Sequence, residues 1–163
     1  MFLKLLIFLI IFYLSFTHSS TVFASQSAFL SQSELTALGF TSYEKINPNL
    51  LIYPLKRVIE ELKLNLLQSE ETKIEYFYQL LDIRFRELVY IINNKKEGFI
   101  FFTADRYNTF IGKLKKDYPI DALEKTKISS YLKMLEILRD RYQSNSLYWE
   151  KIQQTVDTTR SLL

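Results

Sequence analysis

The sequence predicts an all-α protein: an antiparallel bundle of four to five helices behind a cleaved signal peptide. Three observations predict it. Only three glycines and three prolines occur in 163 residues, and so few turn residues leave long helices with few connections. From Pro54 onward, apolar residues recur every three or four positions, the period of a helix face. No cysteine occurs, so neither a disulfide framework nor a lipid-attachment thiol is available, and stability must come from a packed core.

The chain opens with MFLKLLIFLIIFYL, in which Lys4 is the one charge before an unbroken apolar run. Val22 and Ala24 supply the small residues of a signal-peptidase site, so cleavage is expected after Ala24. The apolar run from Leu5 to Phe16 falls short of the ~20 residues a spanning helix needs. The expected product is an exported protein of the cell envelope or extracellular space, with no stable membrane span after cleavage. Removing residues 1–24 from 163 leaves 139, one domain's length. The predicted organisation is a signal peptide at 1–24, a linker with room for a short helix at 25–46, and a helical domain at 47–163.

The short helix is placed at Glu34 to Leu38 and ended by Gly39. Pro54 opens the first long helix, because a proline at the first helical position gives up no intrahelical hydrogen bond and already has a helical φ. Leu55, Val58, Ile59, Leu62 and Leu66 form its apolar stripe, read as the core face. Lys56 and Arg57 precede Glu60 and Glu61 by four residues and are expected to pair along the solvent face, while Leu51, Ile52 and Tyr53 pack across the start of the helix. Ser69 caps the second helix, with Glu70 and Glu71 at its positive end. Ile74, Phe77, Leu81, Phe85, Leu88 and Ile92 make its main stripe, and Tyr76, Leu80 and Ile83 a second face, so it should lie between neighbours. Lys95 and Lys96 suit its C-terminus, and Gly98 is read as the break.

The aromatics of GFIFFT at 98–103 favour a strand, yet Phe102, Tyr107, Phe110, Ile111, Leu114 and Tyr118 keep helical spacing, and length favours a helix. Pro119 ends it. Asp121 with Glu124 resembles a capping box, and the helix that follows carries Leu123, Ile128, Leu132, Leu135 and Leu138. After Gln143 to Asn145 a last helix carries Leu147, Ile152 and Val156.

The stretches NPNLLIYPLKR (47–57), SEETK (69–73) and YFYQLLDIRFREL (76–88) together resemble an uncharacterised family of predicted exported bacterial proteins, a domain-of-unknown-function family. Tyr53, Pro54, Leu55, Lys56 and Arg57 carry the most specific part, a YPLKR-type helix start. The resemblance covers residues 47 to 138. It implies a helical envelope domain and brings no catalytic residues.

The chemistry is bounded mainly by exclusion. The single histidine, His18, lies in the segment expected to be removed, which excludes histidine- or cysteine-based zinc sites, thiol catalysis and serine–histidine triads from the mature chain. Phosphate-cradling glycine motifs are absent, and no turn-rich acidic loop suggests calcium. No catalytic, cofactor or metal residue is assigned. The full chain carries 21 Lys+Arg and 18 Asp+Glu; losing Lys4 leaves a net charge of +2, too small for a dedicated nucleic-acid binder. Two function classes follow. One is a non-enzymatic scaffold or binding module for an envelope protein or surface polymer. The alternative is a hydrolase of an envelope polymer using two carboxylates from among Glu60, Glu61, Glu70, Glu71, Glu75, Asp82 and Glu87.

Overall fold

The computed structural model of the chain describes residues 29–163. The expected signal peptide, its cleavage site and His18 lie outside the described residues. Six helices form among them: α1 (Gln32–Ala37), α2 (Tyr53–Leu66), α3 (Glu70–Asn93), α4 (Glu97–Asp117), α5 (Ala122–Arg139) and α6 (Leu147–Arg160). No strand is present among the described residues, so the GFIFFT stretch is helical and opens α4.

Local chemistry sets the helix ends. Ser31 caps α1 in a complete capping box with Glu34, and Gly39 at φ +84 turns the chain out of it. Ser69 accepts from the Thr72 amide at the start of α3. Asp121 accepts from the Glu124 amide at the start of α5 (2.8 Å). The return half of that box is missing, and Glu124 Oε2 is buried without a partner. Ser146, which sequence reasoning missed, caps α6 through the Trp149 amide. Tyr118 is extended ahead of Pro119, as a residue before proline prefers, and α4 stops there. Gly98 does not break the chain as expected: it lies in the first turn of α4, and the reversal is made by Lys95 at φ 52.

Helices α3 to α6 form a four-helix bundle. Neighbours around it are α3 with α4, α4 with α6, α6 with α5, and α5 with α3. The sequential pairs are antiparallel hairpins: Phe85 meets Tyr107 while Phe77 meets Phe110 and Tyr118, and Arg139 meets Trp149 and Gln153 while Glu136 meets Arg160. Stacked side by side, the hairpins bring α3 parallel to α5, as Tyr78 to Pro119, Asp82 to Tyr131 and Ile92 to Tyr142 show. Leu81, Leu88, Ile91, Ile92, Ile100, Tyr107, Ile111, Leu114, Ile128, Leu135, Leu138, Ile152 and Val156 fill the interior, each at most 1 % exposed. At ~1.5–3 kcal/mol per large apolar side chain, this interior dominates stability. Helix α3 lies between neighbours as predicted, with both of its faces contributing buried residues.

Several expectations fail on packing, among them the exposure of Leu51, Ile52, Leu123 and Leu147. Within the segment read as a linker, Leu30, Leu35 and Phe40 join the main core, and buried Asn93 fixes them there by accepting from the Leu30 amide (2.7 Å) and donating to the Leu30 carbonyl (2.9 Å). Among the described residues, the members of that core lie between residues 30 and 162. The largest failure concerns α2. Its stripe of Leu55, Val58, Ile59, Leu62 and Leu66 faces solvent, each residue more than half exposed, while Tyr53 and Glu60 are buried. The helix is docked with its polar face inward. Phe102 of α4, assigned to the same kind of stripe, is also exposed at 53 %.

Candidate functional site

The reversal of α2 follows from two charges on the wrong face of α3. Arg84 is one helical turn from both Leu80 and Leu88, and Glu87 lies beside Leu88; both charges fall within the buried surface, at 3 % and 1 % exposed. A charge left unpaired in that position costs several kcal/mol. The apolar stripe of α2 could not satisfy them, whereas its opposite face can. Tyr53, Lys56 and Glu60 recur at three and four residues and so share that face.

Glu87 is the centre of the resulting network. It accepts both nitrogen contacts of Arg84 Nη1 (2.8 and 2.7 Å), Lys56 Nζ (2.7 Å) and the Tyr53 hydroxyl (2.8 Å). Burial alone would raise its carboxyl, but the Arg84 and Lys56 charges and their hydrogen bonds outweigh burial and hold it below the ordinary 4.5. Arg84 also bonds Glu60 on α2, Arg57 bonds Glu60 from within the helix (2.7 Å), and Lys56 reaches Glu44 (3.2 Å). Arg86 extends the chain of pairs to Glu44 (2.8 Å) and Asp82 (3.0 Å). Of the pairs expected on the solvent face of α2, Lys56 with Glu60 is present at 3.9 Å but points inward, whereas Arg57 pairs with Glu60 in place of Glu61.

Arg106 of α4 is the exception. It donates to the Tyr53 hydroxyl, which itself donates to Glu87, and its guanidinium lies against the rings of Tyr53 (4.8 Å) and Phe102 (5.3 Å). Every other arginine of this network has a carboxylate; Arg106 makes no ion pair among the described residues, and its Nη2 is buried with no partner. Burial lowers its pKa, and the nearby Arg57 and Arg84 charges add to that. It remains a cation at any physiological pH.

Beside it runs a groove of about 350 Å³ between α2 and α4, lined by Arg57, Arg84, Phe102, Arg106, Phe110 and Lys113. One carboxylate, Asp105, also reaches it, and that group is bound to Lys151 of α6. The groove thus has an excess of positive charge over an aromatic wall. Its chemistry suits an anion, which would supply the missing partner for Arg106.

Of the residues singled out by the YPLKR start, Tyr53, Lys56 and Arg57 belong to the network or the groove, Pro54 serves as the helix start, and Leu55 points to solvent. Of the carboxylates considered for hydrolysis, Glu60 and Glu87 are brought together but are tied to cations. Glu61, Glu70, Glu71 and Glu75 are exposed, Glu61 on the rim of a small cavity that Glu60 also lines. Asp82 lines a separate cavity with Glu75 and Glu124, where it pairs with Arg86 and accepts from Tyr131 (2.7 Å). Glu124 is raised above 4.5, chiefly by burial. Sequence reasoning missed Arg84 and Arg106; a charge at a core position of α3 was the available signal for the first, and nothing local marked the second. Comparison with protein-family models, curated proteins and solved structures finds no match.

Proposed function

We propose that the protein is an exported, non-enzymatic binding module of the cell envelope, and that its groove holds an anionic group of a surface polymer. The observation that carries this reading is the unpartnered Nη2 of Arg106 at a groove lined by Arg57, Arg84 and Lys113. Phosphate and carboxylate share the chemistry that such a cluster recognises, paired oxygens facing guanidinium donors. Phe102 and Phe110 add an apolar wall against which a sugar or polyol backbone can rest. Export rests on the leader sequence. A binding role rather than catalysis is supported by the state of the inward carboxylates, since Glu87 is held ionised and cannot act as a general acid near neutral pH.

Isothermal titration of residues 25–163 tests the reading. A poly(glycerol phosphate) and a polyuronate probe the two anion types, with neutral dextran as the control. Binding to at least one anionic polymer, weakening with salt and falling at least ~10-fold in Arg106→Gln, is expected for a lost charge-assisted contact. Equal binding of dextran, or an unchanged affinity in Arg106→Gln, would refute it.

A further inference from the structure

We propose that the exposed stripe of α2 is the contact face of a homodimer, in which α2 of one chain packs antiparallel on α2 of a second copy about a two-fold axis passing between Val58 and Ile59. The size of the stripe is the first argument. Leu51, Ile52, Leu55, Val58, Ile59, Leu62 and Leu66 are all at least half exposed. At roughly 100 Å² each they approach the ~800 Å² per partner of a standard interface, and they exceed the ~300–600 Å² of the largest patch on a typical monomer.

The second argument is the spacing. A two-fold between Val58 and Ile59 exchanges those two residues, exchanges Leu55 with Leu62, and exchanges Leu51 with Leu66. The stripe is therefore its own complement when reversed, which is the condition for a contact that uses the same patch on both subunits.

The axis leaves the groove open, because Arg57 and Arg106 approach it from the inward side of α2. A dimer would carry two such grooves, although the interface argument does not depend on what they bind.

The test uses residues 25–163, which hold every core residue among the described ones. Sedimentation velocity should give twice the monomer mass at concentrations up to ~100 µM, within the range that an interface of this size supports. Leu55→Glu with Leu62→Glu should give a monomer with an unchanged circular-dichroism spectrum. Because the chain has no cysteine, single cysteines read the register without interference. Val58→Cys should close an interchain disulfide; Leu66→Cys should not, since at 1.5 Å per residue its two copies stand about 22 Å apart along the paired helices. A monomer throughout the concentration range would overturn the proposal, as would a dimer that survives the double glutamate variant. Cross-linking of Leu66→Cys as readily as Val58→Cys would replace it with a parallel pair. Monomeric protein that floats with phosphatidylglycerol vesicles, and loses this in Leu55→Glu, would assign the face to a bilayer.

Discussion

Replacing Glu87 by glutamine removes the charge at the centre of the inward network while keeping the side chain's size. Glu87 is 1 % exposed and faces three donors, Arg84, Lys56 and Tyr53. Losing one member of a buried ion pair typically costs ~3–5 kcal/mol, because the other charge stays buried. Here Arg84 retains Glu60 and Lys56 retains Glu44, so the lower end, ~3 kcal/mol, is the expectation. Against the ~5–15 kcal/mol of a whole domain that is a large loss, and it corresponds to a fall in Tm on the order of 10 °C. Urea denaturation at pH 7 should show a lower midpoint with an unchanged slope. The pH dependence provides a second readout. Glu87 has a depressed carboxyl pKa in the folded chain, so its contribution is fully present above the unfolded value near 4.5 and is lost as pH falls through the lower folded value. The gap between parent and variant should therefore be constant from pH 8 to 5.5 and narrow in acid. A loss below ~0.5 kcal/mol at pH 7, the range of ordinary surface changes, would show that the network is not buried as described.

Two further outcomes follow from the same structure and one from the leader sequence. Lys56→Ala should destabilise the fold by ~2–3 kcal/mol and Leu62→Ala by less than ~1 kcal/mol in monomeric protein; urea midpoints that rank the two the other way would restore the apolar face to the core. Asn93→Ala should remove the anchor of the N-terminal segment at a cost of ~1–3 kcal/mol, read by hydrogen exchange as lost protection of the Leu30 amide, which donates to Asn93; unchanged protection would contradict it. Mass spectrometry of exported protein should find Ser25 at the N-terminus, and recovery of residues 1–24 on that protein would make the leader an anchor.

Helix positions were largely legible because their ends are local chemistry. Pro54, Ser69, Asp121 and Pro119 act through their own backbone constraints or through amides within a few residues, and those relations survive in any tertiary setting. Gly98 misled because a glycine near a helix end need not supply the turn; Lys95 adopts the left-handed conformation instead. The orientation of α2 was not legible from α2. Its period gives an apolar stripe and an opposite polar face, and either can be turned inward, depending on what the neighbouring helices offer. The deciding information lay thirty residues away, where Arg84 and Glu87 occupy α3's buried surface among Leu80, Leu81 and Leu88. The groove was further from reach, since Arg57, Arg106 and Lys113 come together only once Tyr53 of α2 meets Arg106 of α4.

The inward docking of α2's polar face is tested most directly by side-chain proximity. In a ¹³C-edited NOESY spectrum of residues 25–163, the Tyr53 ring should show cross-peaks to Arg106, against whose guanidinium it lies, and the Leu62 methyls should show none to Leu81 or Leu88 of α3, which are fully buried. Cross-peaks from Leu62 to those two leucines, with none from Tyr53 to Arg106, would place the apolar stripe in the core and contradict the arrangement.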